Sequence, residues 1–474
     1  MMGLEPRGAL SCLPQAGPMN RHFSRRHFIQ HLSAGSCLAL APHARGHLHR
    51  HRPRVAAVFT EFRFRSHAYD ILENFFAPYL FRGQLHDPGV DIVSFYADQF
   101  PSQDMARRAA RDHDIPIYKS IDKALCQGGH QLDVDAVLLI GEHGDYPINA
   151  RGQKMYPRKQ FFDQCVEVML RSGRFVPLFN DKHLSYRWDW AREMYEVARA
   201  NKMPLMAGSS VPLAQRVPMI SLPHRAVVEE AVSIHGGGLE SYDFHGLELL
   251  QSLIEGRRGG ETGISQVEVL HGEQIQQALA SGRISRDLVK RAMLAEVEGG
   301  FRRQPWPGKD ASTVARPISP EMFFQINHGL LLQYRDGTRA SVLSIADSSD
   351  RWNFSCQLRG ESTPLATSLY NGPWGNRCLF KALSHAIQRM FISGRPSYPV
   401  ERTLLVSGIL DAAMTSHQEG GQAVATPELE FTYRPTRLDR FRENGESWKV
   451  ITADSPQPPL FEPGDARWMK SDGR

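Results

Sequence analysis

From Val55 to Arg216 the chain alternates between two hydrophobic periods. Short apolar runs read as buried strands: Val55-Ala56-Ala57-Val58-Phe59, Asp91-Ile92-Val93-Ser94-Phe95-Tyr96, Ala136-Val137-Leu138-Leu139-Ile140, Phe175 to Phe179 and Leu205-Met206-Ala207. Between them apolar residues recur three and four apart, as one face of a helix requires. The sets are Tyr69, Leu72, Phe75, Phe76 and Tyr79, then Phe162, Cys165, Val166, Met169 and Leu170, then Ala191, Met194, Tyr195 and Ala198, with a further helix over Asp104 to Arg111. Strands without a polar face, joined through helices, need crossover connections. The expectation is an α/β domain over residues 55–216 with a parallel sheet covered on both faces.

The pattern changes after residue 216. A helix is predicted from Leu247 to Glu255 and a helical region from Glu273 to about Glu298. A hairpin follows, Gln325 to Tyr334 and Arg339 to Ile345 around the turn Arg335-Asp336-Gly337. Helices over Leu379 to Ile392, ending at Gly394, and over Val400 to about His417 precede a last strand, Glu428 to Tyr433. Helices beside a mostly antiparallel open sheet make residues 217–450 an α+β domain, and the Pro-rich stretch 451–474 reads as a loose tail.

Charge alters the picture at one end only. The formal net charge is +5, yet residues 1–54 hold eight Arg and one acid, so the rest of the chain carries a net −2. A nucleic-acid partner is not indicated for such a body. Ser24-Arg25-Arg26-His27-Phe28-Ile29, followed by the weakly apolar Leu32 to Ala41, resembles a twin-arginine export signal, and the alternative is a basic tail. The expected address is periplasmic or envelope-associated, with the twin-arginine export machinery as a partner. Four cysteines of the body, Cys126, Cys165, Cys356 and Cys378, show neither CxxC pairing nor metal-ligand spacing, so buried free thiols are expected.

Four segments, in this order, resemble the Gfo/Idh/MocA oxidoreductases. They are Asp133-Val134-Asp135-Ala136-Val137, Phe179-Asn180-Asp181-Lys182-His183, Gly237-Gly238-Leu239 with His245-Gly246-Leu247-Glu248-Leu249-Leu250, and Gly394-Arg395-Pro396 with Asp411-Ala412-Ala413. The resemblance implies an N-terminal Rossmann-like domain, a C-terminal substrate domain that can pair in a homo-oligomer, a nicotinamide cofactor (NAD or NADP), and a sugar or polyol substrate. Lys182 and His245 fall on the group's site lysine and histidine. The group's acid four residues before that histidine is Ser241 here, with Glu240 and Asp243 beside it as substitutes.

One departure bears on the cofactor. A dinucleotide-binding bend needs glycines so that the backbone can turn tightly and present helix N–H groups to the diphosphate. Phe59, Glu61 and Phe64 stand at the three glycine positions. Thr60, Arg63 and Arg65 are then the bend residues left to hold a dinucleotide, the arginines by charge rather than by backbone donors. Asp98, near the end of the second strand, stands where an acid holds ribose hydroxyls, or is an ordinary capping residue.

Gly141-Glu142-His143-Gly144-Asp145-Tyr146-Pro147 follows the third strand at its C-terminal end, where α/β sheets bind ligands. Glu142 and His143 are read as a polar rim around a ligand rather than a metal site, and Ile148 to Lys159 as a lid or rim. The Gly208-Ser209-Ser210 turn can be structural only. The chemistry implied is hydride transfer from a sugar carbon, with His245 as base and Lys182 beside the developing alkoxide. Two other readings stay open: a cofactor-free carbohydrate-binding protein or pseudoenzyme, and a lyase or glycosidase assisted by a retained nicotinamide.

Overall fold

The computed structural model describes residues 52–304 and 318–457. The segment that resembles an export signal and the tail from residue 458 lie outside the described residues. The first half builds β1 (Arg54–Phe59), α1 (His67–Phe76), β2 (Tyr79–Phe81), β3 (Gln84–His86), β4 (Asp91–Ala97), α2 (Ala106–Asp112), β5 (Ile117–Tyr118), α3 (Ile121–Leu125), β6 (Ala136–Ile140), α4 (Arg158–Arg171), β7 (Leu178–Asp181), α5 (Trp188–Ala200) and β8 (Leu205–Gly208). Six of these strands form an all-parallel sheet in the order β5-β4-β1-β6-β7-β8. That is the doubly wound order, with the crossover point between β1 and β6. Alternate residues of β1 feed two cores: Val55, Ala57 and Phe59 pack with α1, while Ala56 and Val58 pack with α3 and α4.

The second half adds β9 (Gln215–Val217), β10 (Val228–Gly236), α6 (Asp243–Ile254), β11 (Ile264–His271), α7 (Glu273–Ala280), α8 (Arg286–Gly299), β12 (Ile326–Tyr334), β13 (Arg339–Ile345), β14 (Ser348–Leu358), β15 (Leu365–Tyr370), α9 (Asn376–Ser393), α10 (Glu401–Gln418) and β16 (Val424–Ala425). Its eight-stranded sheet runs β16-β11-β12-β13-β10-β14-β15-β9, antiparallel except for the β10–β13 pair. Helices α6 and α10 cover one face, and α7 and α8 pack on the other. Helix α9 instead joins the core of the first sheet, through Phe380, Leu383, Ile387 and Phe391. The four body cysteines are buried free thiols, as their spacing predicts.

Differences from the pattern reading have local causes. Ala77 precedes Pro78 and is extended, so α1 stops at Phe76 and Tyr79 opens β2. The fourth predicted strand moves from 175–179 to Leu178–Asp181, beginning just after Pro177, which has no N–H to give a ladder. The helical region after Glu273 breaks at Gly282, which has a φ of +74°, and Ser285 caps the new helix through Leu288 N at 3.3 Å. Residues Glu428 to Tyr433 are not a strand; Leu429 is buried, Phe431 stacks on Trp188, and Tyr433 Oη donates to Glu255 at 2.8 Å. Alternation there reflects separate anchoring of side chains, not ladder pairing.

Strand β10, central in its sheet, does not stand out in the pattern because polar residues interrupt it while being buried. Glu230 takes Arg339 at 2.5 Å and Ser285 N at 2.9 Å, Ser233 donates to Gly246 O at 2.9 Å, and His235 meets Asp243 at 3.0 Å. Gly246 lets α6 lie on this strand, since a Cβ there would stand 2.6 Å from Val342 Cγ1 and 3.0 Å from His235 Cδ2. Gly246→Ala improves helix propensity by about 1 kcal/mol, but overpacking costs about 1–3 kcal/mol. We expect net destabilisation, read as a lower urea midpoint at unchanged m-value.

Candidate functional site

The bend after β1 is filled by its own side chains. Thr60, Glu61, Phe62, Arg65 and Ser66 are buried, and the Phe62 ring lies 5.8 Å from Phe59 and 6.4 Å from Tyr69. Each group read as a cofactor contact has an internal partner. Thr60 Oγ1 donates to Glu142 O at 2.6 Å, tying the end of β1 to the end of β6. Arg63 pairs with Glu61 at 2.6 Å and reaches His143 Nδ1 at 3.5 Å. Arg65, with a φ of +63°, turns away from the bend and donates to Trp374 O at 3.3 Å. Asp98 accepts from the Tyr96 and Tyr146 hydroxyls at 2.8 and 2.7 Å. Gln99 and Asp145 exchange two hydrogen bonds of 2.9 and 2.8 Å, so the loop after β6 is laced to the end of β4.

These observations answer whether a dinucleotide fits the usual place. A diphosphate there needs exposed backbone N–H groups and room beside them. The bend has rings and a buried carboxylate instead, and Ser66 already accepts the Tyr69 N–H at the start of α1. The acid for the ribose is held by two tyrosines. The residues, as arranged, do not fit the cofactor at this bend.

Immediately beside this bend lies a buried polar cluster at the C-terminal ends of β6, β7 and β8. Glu142 stands between two cations: its Oε2 accepts from Arg158 Nη2, and its Oε1 lies 3.4 Å from Lys182 Nζ. Burial opposes ionisation of Glu142, but the Lys182 and Arg158 charges prevail and hold its carboxyl well below the usual range. Gly141 makes this approach feasible, since a Cβ there would fall 2.7 Å from Arg158 Cγ. Lys182 follows β7 with a φ of +66°, and its ammonium also reaches Ser241 O at 3.4 Å in the second domain. Strained backbone of this kind in a non-glycine residue persists where surrounding contacts enforce it.

His245, in the first turn of α6, has its Nδ1 2.6 Å from Ser209 Oγ. Burial, then the Lys182 charge, depresses its pKa well below the ordinary value, so the ring is neutral. Ser209 also accepts the Val211 N–H at 3.0 Å. His183 meets Arg158 at 3.1 Å and is likewise kept neutral by burial and the guanidinium. His143, with a φ of +69°, is pushed down to about 3 by burial and by the charge of His67. His67 Nδ1 lies 2.6 Å from Asp181 Oδ2.

The structure therefore brings together Lys182, His245, Glu142 and His143, and it removes one expected member. Asp243 is not the partner of His245. It is fully buried and committed to His235 Nε2 and His328 Nε2, at 3.0 Å each, and to Glu240 N at 2.9 Å, so it braces the second sheet. The Gly208-Ser209-Ser210 turn is more than structural, because Ser209 orients His245. Arg158 carries no sequence signal; it lies inside the stretch read as a rim, and Gln153 in the same stretch is fully buried on Tyr186 O at 3.0 Å.

The architecture defines a class: a doubly wound, Rossmann-like domain joined to a mixed, mostly antiparallel sheet domain, with a buried Lys/His cluster where the two meet. Comparison with known proteins adds a likeness in fold. No family model matches the chain, and no curated protein matches it. Among solved structures it is similar to GenD2 from gentamicin A biosynthesis in complex with NAD, at 12% identity over 80% of this chain and 97% of that one, with a TM-score of 0.47. It is also similar to myo-inositol 2-dehydrogenase from Lactobacillus plantarum, at 11% identity over 79% and 99% of the two chains, TM-score 0.46. A third is scyllo-inositol dehydrogenase from Lactobacillus casei with bound NAD(H) and scyllo-inositol, at 10% identity over 79% and 99%, TM-score 0.45.

Two measurements test the cluster. Arg158→Met leaves Glu142 with half its compensation and is expected to cost about 3–5 kcal/mol in urea unfolding. Adding Glu142→Gln to that variant should recover part of the loss, which a double-mutant cycle reads directly. The second concerns pH. The unfolded chain protonates His143 near its ordinary value of 6.5, whereas the folded chain does so only near 3. Stability from this ring is therefore lost as pH falls from 6.5, by up to about 1.4 kcal/mol per unit. His143→Gln should flatten the slope of unfolding free energy between pH 4 and 6 by about that amount.

Proposed function

We propose that this chain is a Gfo/Idh/MocA-like protein that binds a sugar or sugar-derived alcohol over Lys182 and His245 and handles the proton of one of its hydroxyl groups. The observation that carries the reading is that a lysine after β7 and a neutral histidine at the start of α6, from different domains, share one buried cluster. Ser209 can accept Nδ1–H of His245 beside the Val211 N–H, which leaves Nε2 with the lone pair that a base needs. The start of α6 favours that neutral ring through the helix dipole. Lys182 supplies a cation for an alkoxide, and because Arg158 shares the carboxylate of Glu142, that cation is only partly neutralised.

The oxidoreductase reading needs a nicotinamide beside this pair; the similar GenD2 structure is a complex with NAD, and the scyllo-inositol dehydrogenase structure holds NAD(H) and scyllo-inositol. The closed bend favours the second reading, a cofactor-free carbohydrate-binding protein or pseudoenzyme. A thermal-shift titration with NAD+, NADH, NADP+ and NADPH separates the two. The packing leads us to expect no saturable shift at millimolar dinucleotide, and a saturable one establishes the oxidoreductase reading instead. The site itself is tested with a panel of inositols and simple sugars. We expect Lys182→Met and His245→Ala each to weaken binding tenfold or more while both proteins stay folded; undiminished binding in both variants places the ligand elsewhere. Export follows the same logic: Arg25→Lys with Arg26→Lys should retain the protein in the cytoplasm if the twin-arginine reading is right.

A further inference from the structure

At the opposite end of α6 from His245, roughly 15 Å away by helix rise, a cavity of about 270 Å³ opens between β9, the loop around Ser221, and residues 435–442. Its wall holds Arg216, Arg437 and Arg442, with Asp439 and Glu255 as carboxylates. Both acids are already engaged. Glu255 takes the Nε and Nη2 edge of Arg402 at 2.9 and 2.5 Å and the Tyr433 hydroxyl at 2.8 Å. Asp439 accepts from Arg442 Nη1 and Arg437 Nε, each at 3.0 Å.

Arg216 differs from these neighbours. Only 4% of its surface is exposed, and Nη1 donates to Ile220 O at 3.0 Å. Its Nε and Nη2 are buried without a hydrogen-bond partner. These are the two parallel donors that Arg402, in the same cluster, presents to a carboxylate. A guanidinium edge left dry and unpaired is costly, and its shape matches the two oxygens of a carboxylate or phosphate. Burial, with the Arg442 charge adding to it, depresses the Arg216 pKa well below its ordinary value, so an anion placed beside this guanidinium would be stabilising.

We propose that this cavity binds a small oxyanion, a phosphate or carboxylate group, held by Arg216 with Arg442 and Arg437 at its wall, the Nε–Nη2 edge of Arg216 turning from its buried position to meet it. Such a site is separate from the Lys182–His245 cluster and independent of how that cluster is used. It is tested on the full chain by thermal shift with inorganic phosphate, with acetate, and with chloride at equal ionic strength. A saturable rise of about 2 °C or more with an oxyanion, absent with chloride, is expected, and the arm with the lower half-saturation names the anion class. No rise in either arm, or an equal rise with chloride, overturns the site. Arg216→Gln should abolish the response. Should that variant not fold, Ser221→Trp at the exposed mouth leaves the arginine intact and should raise the half-saturating concentration at least tenfold. A wild-type response in the folded variant overturns the assignment.

Discussion

One carboxylate between two buried cations organises this protein. Glu142 must remain ionised in a site that excludes water, and it does so because Arg158 and Lys182 both face it. Neither cation could be buried without it, since an uncompensated charge in the interior is far costlier than an ion pair. The pairing fixes three chain segments at once: the end of β6, the start of α4 and the residue after β7. Through the Lys182 ammonium on Ser241 O it also reaches the second domain. The surrounding histidines then have a set state. Burial first, and neighbouring positive charge second, keep His143, His183 and His245 neutral, and neutral imidazole is the form that accepts a proton.

The same cluster explains how the neighbouring bend departs from a nucleotide site without collapse. Glu61 and Arg63 form a pair that extends to His143, Thr60 is bonded to the backbone of Glu142, and Tyr146 with Tyr96 covers Asp98. Each group that a diphosphate or ribose would engage has found a protein partner. Phe62 completes the closure by joining Phe59 and Tyr69 in the core. A doubly wound sheet can lose the glycines of its first bend if the space is refilled from within, because the sheet itself is held by apolar packing on both faces.

Much of the fold was legible because its signals are local. The five apolar runs and intervening helical faces of the first domain stand within a few residues of their observed ends, and the hairpin around Asp336 is where its turn placed it. Strand β10 escaped, since Glu230, Ser233 and His235 look solvent-facing until their partners Arg339, Gly246 O and Asp243 are known. The strand expected at Glu428 to Tyr433 failed for the converse reason: its alternation serves contacts to Trp188 and Glu255 that lie far away in sequence.

The candidate site divides along the same line. Glu142 and His143 were visible as polar residues at the end of an apolar strand, and Lys182 and His245 through their places in segments that resemble the Gfo/Idh/MocA oxidoreductases. That Asp243 belongs to His235 and His328, that Ser209 rather than an acid orients His245, and that Arg158 enters from an apparent rim were decided only by tertiary packing. Periodicity records which face of an element is dry, because that depends on neighbours three or four residues apart. It cannot record which polar group meets which across tens to hundreds of residues, because those pairings are chosen by the geometry in which the dry faces come together.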